Sequence, residues 1–369
     1  MSQLKIKICI VIPTFKCGGS EKFVSILCNH INLSKFNVTL YILDGEDPFY
    51  KVINPEINVI SLNIKNVRKS LVPILRIIKR DQPDILFTAA NHLNVFLSIF
   101  KFLLPGKVKF IARESSNVSI NNKKLKYGKV YDKIVKAFYK NIDFIICQSG
   151  YMQNDLIENY KIRREKTIVI NNPVEDIMDQ SKDERESLHR KKGPFKFITV
   201  GRLSPEKGIA RMLRALALLT IDFRFHIIGD GPEAANLLRL SKELNLQDRV
   251  IFAGVKQHPY ESMGNSDLFL IGSYFEGFPN VLLESGMLGI PVVGYSAPGG
   301  INDIIKEGEN GLLVNDDDTG VHFSSAILKA LSMKFNRQSI RDQTIKNFSL
   351  DKILSEIENC FIRIHTQST

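Results

Sequence analysis

The chain alternates apolar strand-like runs with amphipathic helical patterns, and it does so twice. KIKICIVI (5–12) is a short apolar run that reads as a buried first strand. The turn FKCGGSE follows, then a helical pattern with Phe23, Ile26, Leu27, His30 and Ile31 on one face. Further strands are expected at 37–43, 84–88, 108–112, 143–148 and 167–170, with helical patterns between several of them. NNPVED (171–176) closes this series, and the polar stretch QSKDERESLHRKKGP (180–194) follows it. A second series then begins, with strands at 195–201, 223–229, 249–253, 267–272 and 291–295 and helices near 205–219, 232–244 and 279–288.

Such alternation calls for parallel sheets wrapped by helices. The expected architecture is α/β, two Rossmann-like doubly wound domains facing a central cleft. The first spans 1–175 and the second 176–349, and ligands bind outside the carboxyl ends of the strands. A last helical pattern, 350–365, puts Ile353, Ile357 and Phe361 on one face and is expected to pack back across the domains as a 350–369 segment.

Composition narrows the setting. The chain has no uninterrupted apolar run of about 18 residues, so no membrane span is expected. The N-terminal apolar run lacks the small-residue cleavage site of a signal peptide. Five cysteines, an odd number without a C-x-x-C pair, speak against disulfide frameworks and zinc sites and point to a reducing cytoplasm. Residues 1–175 carry 27 Lys+Arg and 14 Asp+Glu (27 − 14 = +13), whereas 176–369 carry 23 and 25 (23 − 25 = −2). The positive half should face something anionic: a membrane surface, a nucleic acid or a phosphorylated acceptor.

Three stretches could carry chemistry. FKFITVGRLSPEKG (195–208) is a strand, a turn and a helix start, with Ser204 expected as cap and Lys207 in the first turn. A cation there opposes the helix dipole, unless an anion sits in front, held by Arg202, Lys207 and the helix N-terminus. IIGDGPE (227–233) is a common α/β turn. In SDLFLIGSYFEGFPNVLLESGMLGIPVV (266–293), Glu276 falls on the loop beyond a strand and Glu284 in the second turn of a helix opened by Pro279. Each acid could equally be a solvated surface group.

Taken in order, CGGSE (17–21), GRLSPEKG, GDGPE, FAGV (252–255), EGFPNVLLES (276–285) and APGGINDII (297–305) resemble the motifs of family-4 retaining glycosyltransferases. That family has the GT-B fold and an E-x7-E motif, which Glu276 and Glu284 match. The resemblance covers nearly the whole chain and implies roles for particular residues. Glu276 would contact the donor sugar, with the backbone of Gly277, Phe278, Pro279 and Asn280 holding sugar and phosphates. Glu284 would bind the ribose, and Arg202 and Lys207 would neutralise the departing diphosphate. Gly18 and Gly19 would close over the donor, and the base would lie near Val255. His92, after strand 84–88, would approach the sugar or acceptor, or be an ordinary loop histidine. Arg113, Glu114 and Ser115 would touch the acceptor.

The implied reaction moves a hexose or N-acetylhexosamine from a nucleotide sugar, expected to be UDP-linked, to a lipid-linked or oligosaccharide acceptor of a bacterial cell-surface glycan. No cofactor and no metal are required by the resemblance; the acid cluster Asn315–Asp318 reads as a solvated turn. KKLKYGKVYDKIVKAFYK (123–140) places Lys126, Lys129, Lys133, Lys136 and Lys140 on one helical face. The opposite side has Tyr127, Val130, Tyr131, Ile134, Val135 and Phe138. With the +13 half, this suggests an enzyme resting on the cytoplasmic face of an anionic membrane. LNVFLSIFKFLLPGK (93–107) reads as a core helix or a shallow anchor. Alternatives are a nucleotide-sugar-binding subunit without catalysis and a dinucleotide-dependent oxidoreductase. The latter lacks the G-x-G-x-x-G pattern, and no nucleic-acid-binding motif is present.

Overall fold

The structure, a computed structural model, describes residues 5–16, 18–46, 48–177, 193–316 and 319–367. Cys17, Asp317, Asp318 and most of the 180–194 stretch lie outside the described residues. The chain forms two compact units, 1–173 with 350–369, and 174–349.

The first unit contains β1 (Ile6–Thr14), β2 (Phe36–Asp44), β3 (Asn58–Ser61), β4 (Ile85–Thr88), β5 (Lys109–Glu114), β6 (Phe144–Cys147) and β7 (Thr167–Val169). They form one sheet in the order β3-β2-β1-β4-β5-β6-β7, every pair parallel. In β1, Ile8, Ile10 and Ile12 enter one core layer and Cys9 and Val11 the other. Burial on both faces explains why this strand reads as continuous rather than alternating apolar sequence. The C-terminal helix, Leu350–Thr366, lays Ile353, Ile357 and Phe361 into the first layer. The Phe361 ring meets Phe87 edge-on at 5.4 Å, and Glu358 accepts the Asn32 amide at 2.9 Å. This tail therefore belongs to the first unit's core.

The second unit holds β8 (Phe195–Val200), β9 (Phe223–Ile228), β10 (Val250–Phe252), β11 (Leu268–Ile271), β12 (Val292–Tyr295) and β13 (Gly311–Val314). Their order is β10-β9-β8-β11-β12-β13, again all parallel. Each sheet reverses its strand order once, between β1 and β4 and between β8 and β11. These are the topological switch points where such sheets bind ligands.

Two expected helices are different in the structure. The 123–140 pattern is two helices, Val118–Lys124 and Gly128–Phe138. The chain turns between them through Leu125 N–H to Asn122 O and Gly128 N–H to Leu125 O, and Asn122 also bonds Asp132 at 3.0 Å. Val135 is buried, but Tyr127 and Val130 are exposed rather than packed on the sheet. The 205–219 helix is a single 3-10 turn, Pro205–Lys207, followed by the α-helix Ile209–Ala217. Ser204 does not cap it; its hydroxyl donates to Glu206 Oε1 at 2.6 Å. In the 93–107 stretch Leu93, Val95 and Leu97 are core residues, while Phe102 and Leu103 are exposed. No helix among the described residues is long and apolar enough to cross a membrane.

Candidate functional site

The second sheet's switch point gathers the residues singled out above. β8 ends at Val200 and runs through Gly201 to Arg202, which is exposed. β11 ends at Ile271, and the loop behind it carries Ser273 and Glu276. A pocket there is lined by Val200, Arg202, Lys207, Ser273 and Glu276, among others. Lys207 Nζ contacts Glu276 Oε1 at 2.7 Å, with the lysine side chain 31% and the glutamate 11% exposed. The same oxygen accepts the Ser273 hydroxyl at 2.5 Å. In a partly desolvated setting each charge keeps the other in place, and the pair remains reachable from solvent.

Two close backbone approaches set this geometry. Gly208 adopts φ +59, and a Cβ there would sit 1.8 Å from the Gly272 carbonyl oxygen. The kink it allows ends the 3-10 turn and leaves Lys207 before the α-helix rather than inside it. Gly299, at φ +115, abuts the Glu276 carbonyl, and a Cβ there would lie 1.7 Å from it. The Glu276 amide donates to Pro298 O at 3.0 Å, and the Gly300 amide to Gly277 O at 2.8 Å. The Ala297–Ile305 stretch is thus the support on which the Glu276 loop rests.

The helix Asn280–Met287 begins just past this loop, and Pro279 offers no side-chain cap. Its N-terminus presents the positive end of the helix dipole. Glu284 is 7% exposed on that helix, which removes the reading of a solvated surface acid. The Phe278 ring is buried and packs on Phe348 at 5.7 Å, so only its backbone can serve a ligand. Val255 is 74% exposed on the loop after β10.

The remaining candidates belong to the first unit. Gly18 and Gly19 start the helix Gly19–His30, and a Cβ on Gly18 would meet the Glu21 carboxylate at 2.3 Å. His92 lies in the first turn of the helix Asn91–Ile99, exposed at its edge, and the protein packed around the ring lowers its pKa. Arg113 and Glu114 do not present themselves to an acceptor as expected: both have zero exposure. Arg113 lies over the Phe23 ring, 3.6 Å from its centroid, and bonds Asn172; burial lowers its pKa to about 9. Glu114 accepts from Asn94 (2.7 Å), Asn91 (3.0 Å) and Tyr139 (2.8 Å), and burial raises its pKa. Of the three, only Ser115 is partly exposed.

Sequence reasoning missed Ser273, Arg211 and Asp316. Arg211 donates to Asp316 at 2.6 Å, so this aspartate is not merely a solvated turn residue. No sequence signal singles out Arg211, which is one of two arginines on a helix otherwise rich in apolar residues.

Comparison with known proteins bears on the family and the fold. The profile of the family described as "Glycosyltransferase Family 4" matches residues 17–176, and that of "Glycosyl transferases group 1" matches residues 180–347. A Campylobacter jejuni relative, N-acetylgalactosamine-N,N'-diacetylbacillosaminyl-diphospho-undecaprenol 4-alpha-N-acetylgalactosaminyltransferase, is 29% identical over 332 residues, 86% of this chain and 88% of its own. The lipopolysaccharide 1,6-galactosyltransferase of Salmonella typhimurium is 26% identical over 80% of this chain and 81% of its own. Among solved structures, a lipopolysaccharide outer core galactosyltransferase superposes with a TM-score of 0.75 at 22% identity, covering 97% of this chain and 99% of that one. Anabaena HepE in complex with UDP-glucose gives 0.77 at 19% identity, covering 97% and 100%. These likenesses agree on two Rossmann-like domains and displace the oxidoreductase alternative.

Proposed function

We propose, for a chain that belongs to the family-4 glycosyltransferases of GT-B fold, a retaining and metal-independent transfer. A hexose or N-acetylhexosamine moves from a UDP-linked donor to a lipid-linked or glycan acceptor in bacterial surface-polysaccharide synthesis. The observation that carries this reading is the Lys207–Glu276 pair beside Arg202 at the second sheet's switch point. Two cations beside one acid support the reading: the cations suit the charge that develops on a leaving diphosphate, and the acid suits a sugar hydroxyl. The relatives named above act on diphospho-undecaprenol-linked and lipopolysaccharide acceptors, and HepE was solved with UDP-glucose.

In this reading Arg202, Lys207 and the N-terminus of helix Asn280–Met287 receive the diphosphate. Fixed donors aimed at developing charge contribute about 3–4 kcal/mol each. Glu276 holds the sugar hydroxyls, Glu284 the ribose, and the backbone near Val255 the base. The bond from the anomeric carbon to the diphosphate breaks while one to the acceptor oxygen forms on the same face. The acceptor proton passes to the departing phosphate, so no side-chain base is needed. The first unit takes the acceptor, with His92 and Ser115 at its strand ends.

The same unit supplies the membrane contact and hence a peripheral, cytoplasmic-face location. Lys123, Lys124, Lys126, Lys129, Lys133 and Lys136 are exposed around the break between its two helices. Leu125, Tyr127 and Val130 are exposed among them at 49, 69 and 57%. Cations surrounding exposed apolar side chains fit an anionic bilayer.

The test is transfer with a panel of nucleotide sugars, with and without EDTA, using membrane extract as acceptor. Turnover that survives EDTA and falls by about 10²–10³-fold in Glu276→Ala and in Lys207→Ala is expected. Full activity in either folded variant contradicts the assignment.

A further inference from the structure

Arg211 follows Lys207 by four residues and is 8% exposed. Burying a guanidinium is costly unless its donors are satisfied, and here all three nitrogens are used. Nε donates to the Gly272 carbonyl at 2.7 Å, Nη2 to the Ser273 carbonyl at 2.6 Å, and Nη1 to Asp316 Oδ2 at 2.6 Å. Its Cζ lies 4.0 Å from the Tyr274 ring centroid and 3.9 Å from that of Tyr295. Tyr295 is itself stacked on Phe323 at 4.4 Å. One planar cation thus ties together a helix, the loop behind β11, Asp316 just past β13 and a ring from β12.

The loop it holds leads directly to Glu276. Ser273 gives its carbonyl to Arg211 and its hydroxyl to Glu276 Oε1. Beyond Tyr274, the Glu276 amide is fixed from the other side by Pro298 O. The carboxylate is therefore aimed by two backbone anchors, the Ser273 hydroxyl and the Lys207 ammonium, and Arg211 supplies the anchor on the buried side. A lysine keeps the charge but cannot serve three acceptors in a fork or stack as a plane between two rings.

We propose that Arg211 is the positioning residue for Glu276, setting the loop that aims its carboxylate without itself touching the donor. The proposal rests on Glu276 being the sugar contact. It predicts a selective defect: the sugar end of the donor is lost, and the diphosphate end, held by Arg202 and Lys207, is kept.

The experiment uses the full chain carrying Arg211→Lys, with Asp316→Asn as a milder variant that removes the charge from one acceptor of the fork. Amide hydrogen exchange of the ligand-free protein, UDP affinity, and kcat/KM for the UDP-sugar that the wild type turns over are measured. In Arg211→Lys we expect kcat/KM to fall about 30-fold, the effect of one charge-assisted hydrogen bond. UDP affinity stays within about twofold, and exchange protection falls at Tyr274 and Glu276 but not along Ile209–Ala217. Asp316→Asn moves the same amides by a smaller amount. Adding Arg211→Lys to Glu276→Ala should cost nothing further. Additive losses, an equal fall in UDP affinity, or unchanged protection at Tyr274 and Glu276 overturn the proposal. If the wild type transfers no sugar from any nucleotide donor, the functional reading fails, and the exchange pattern alone then decides whether Arg211 fixes the loop. If Arg211→Lys does not fold, Asp316→Asn decides through the same exchange and double-variant comparison.

Discussion

At the end of β5, Arg113 and Glu114 are sealed away, each with its own neutral partners: a ring and an asparagine for the arginine, two asparagines and a tyrosine for the glutamate. Behind β11, Lys207 and Glu276 are paired with each other at 2.7 Å, and the lysine is one-third exposed. The two sheets share one topology up to the seventh strand, yet the charged groups at one strand end are sealed and those at the other are partly exposed. Activity of this kind resides in loops placed on a scaffold, not in the scaffold. What distinguishes the open end is a charged pair partly reachable from solvent, resting on a loop clamped by Arg211 and Pro298.

The contrast can be broken most forcefully at the first unit's core. Phe361→Ala should destabilise that unit by about 3–5 kcal/mol, because it empties the space between Phe36 and Phe87. Region-resolved hydrogen exchange should show the loss in β1 and β4 and spare β8 and β11. Equal loss in both sheets would show that the two units do not hold their stability separately. Next in size is the open site itself. Lys207→Ala should lower kcat by about 10²–10³-fold with the unfolding temperature nearly unchanged, read by steady-state kinetics and thermal denaturation.

Gly299→Ala sharpens the comparison at the loop's support. Its Cβ would strike the Glu276 carbonyl, and the left-handed backbone adds about 1–3 kcal/mol of strain. Urea titration should detect that loss, with activity falling further than stability because Glu276 moves. The smallest effect belongs to the basic surface of the first unit. Lys129→Gln should weaken binding to anionic vesicles by about 1 kcal/mol in a flotation assay. Turnover of a water-soluble acceptor should not change.

Much of this molecule was legible in its sequence because parallel strands buried on both faces are long apolar runs. β1 and β11 announce themselves in this way, and the glycine and proline residues around 201–208 and 277–279 mark the loops. β3 (Asn58–Ser61) was missed because it is an edge strand, short and largely exposed. β13 (Gly311–Val314) was missed because four residues give too little pattern to separate from a turn. The lysine spacing from 126 to 140 keeps its helical period across a real break, since the turn there is made by backbone N–H groups donating to the Asn122 and Leu125 carbonyls, which periodicity cannot register. At the site, Lys207 and Glu276 were legible as motif positions. Arg211 was not, because its partner Asp316 is 105 residues away and its other contacts are carbonyls, which every residue possesses.

The central claim is that the two charged ends of the open pair hold different parts of one donor. Calorimetric titration of UDP and of the UDP-sugar substrate into wild type, Glu276→Ala and Lys207→Ala tests it directly. The account predicts that Glu276→Ala binds UDP at least as tightly as wild type but loses the added affinity for the sugar nucleotide, whereas Lys207→Ala loses affinity for both. Undiminished UDP binding by Lys207→Ala, or equal loss of both ligands by Glu276→Ala, would contradict it.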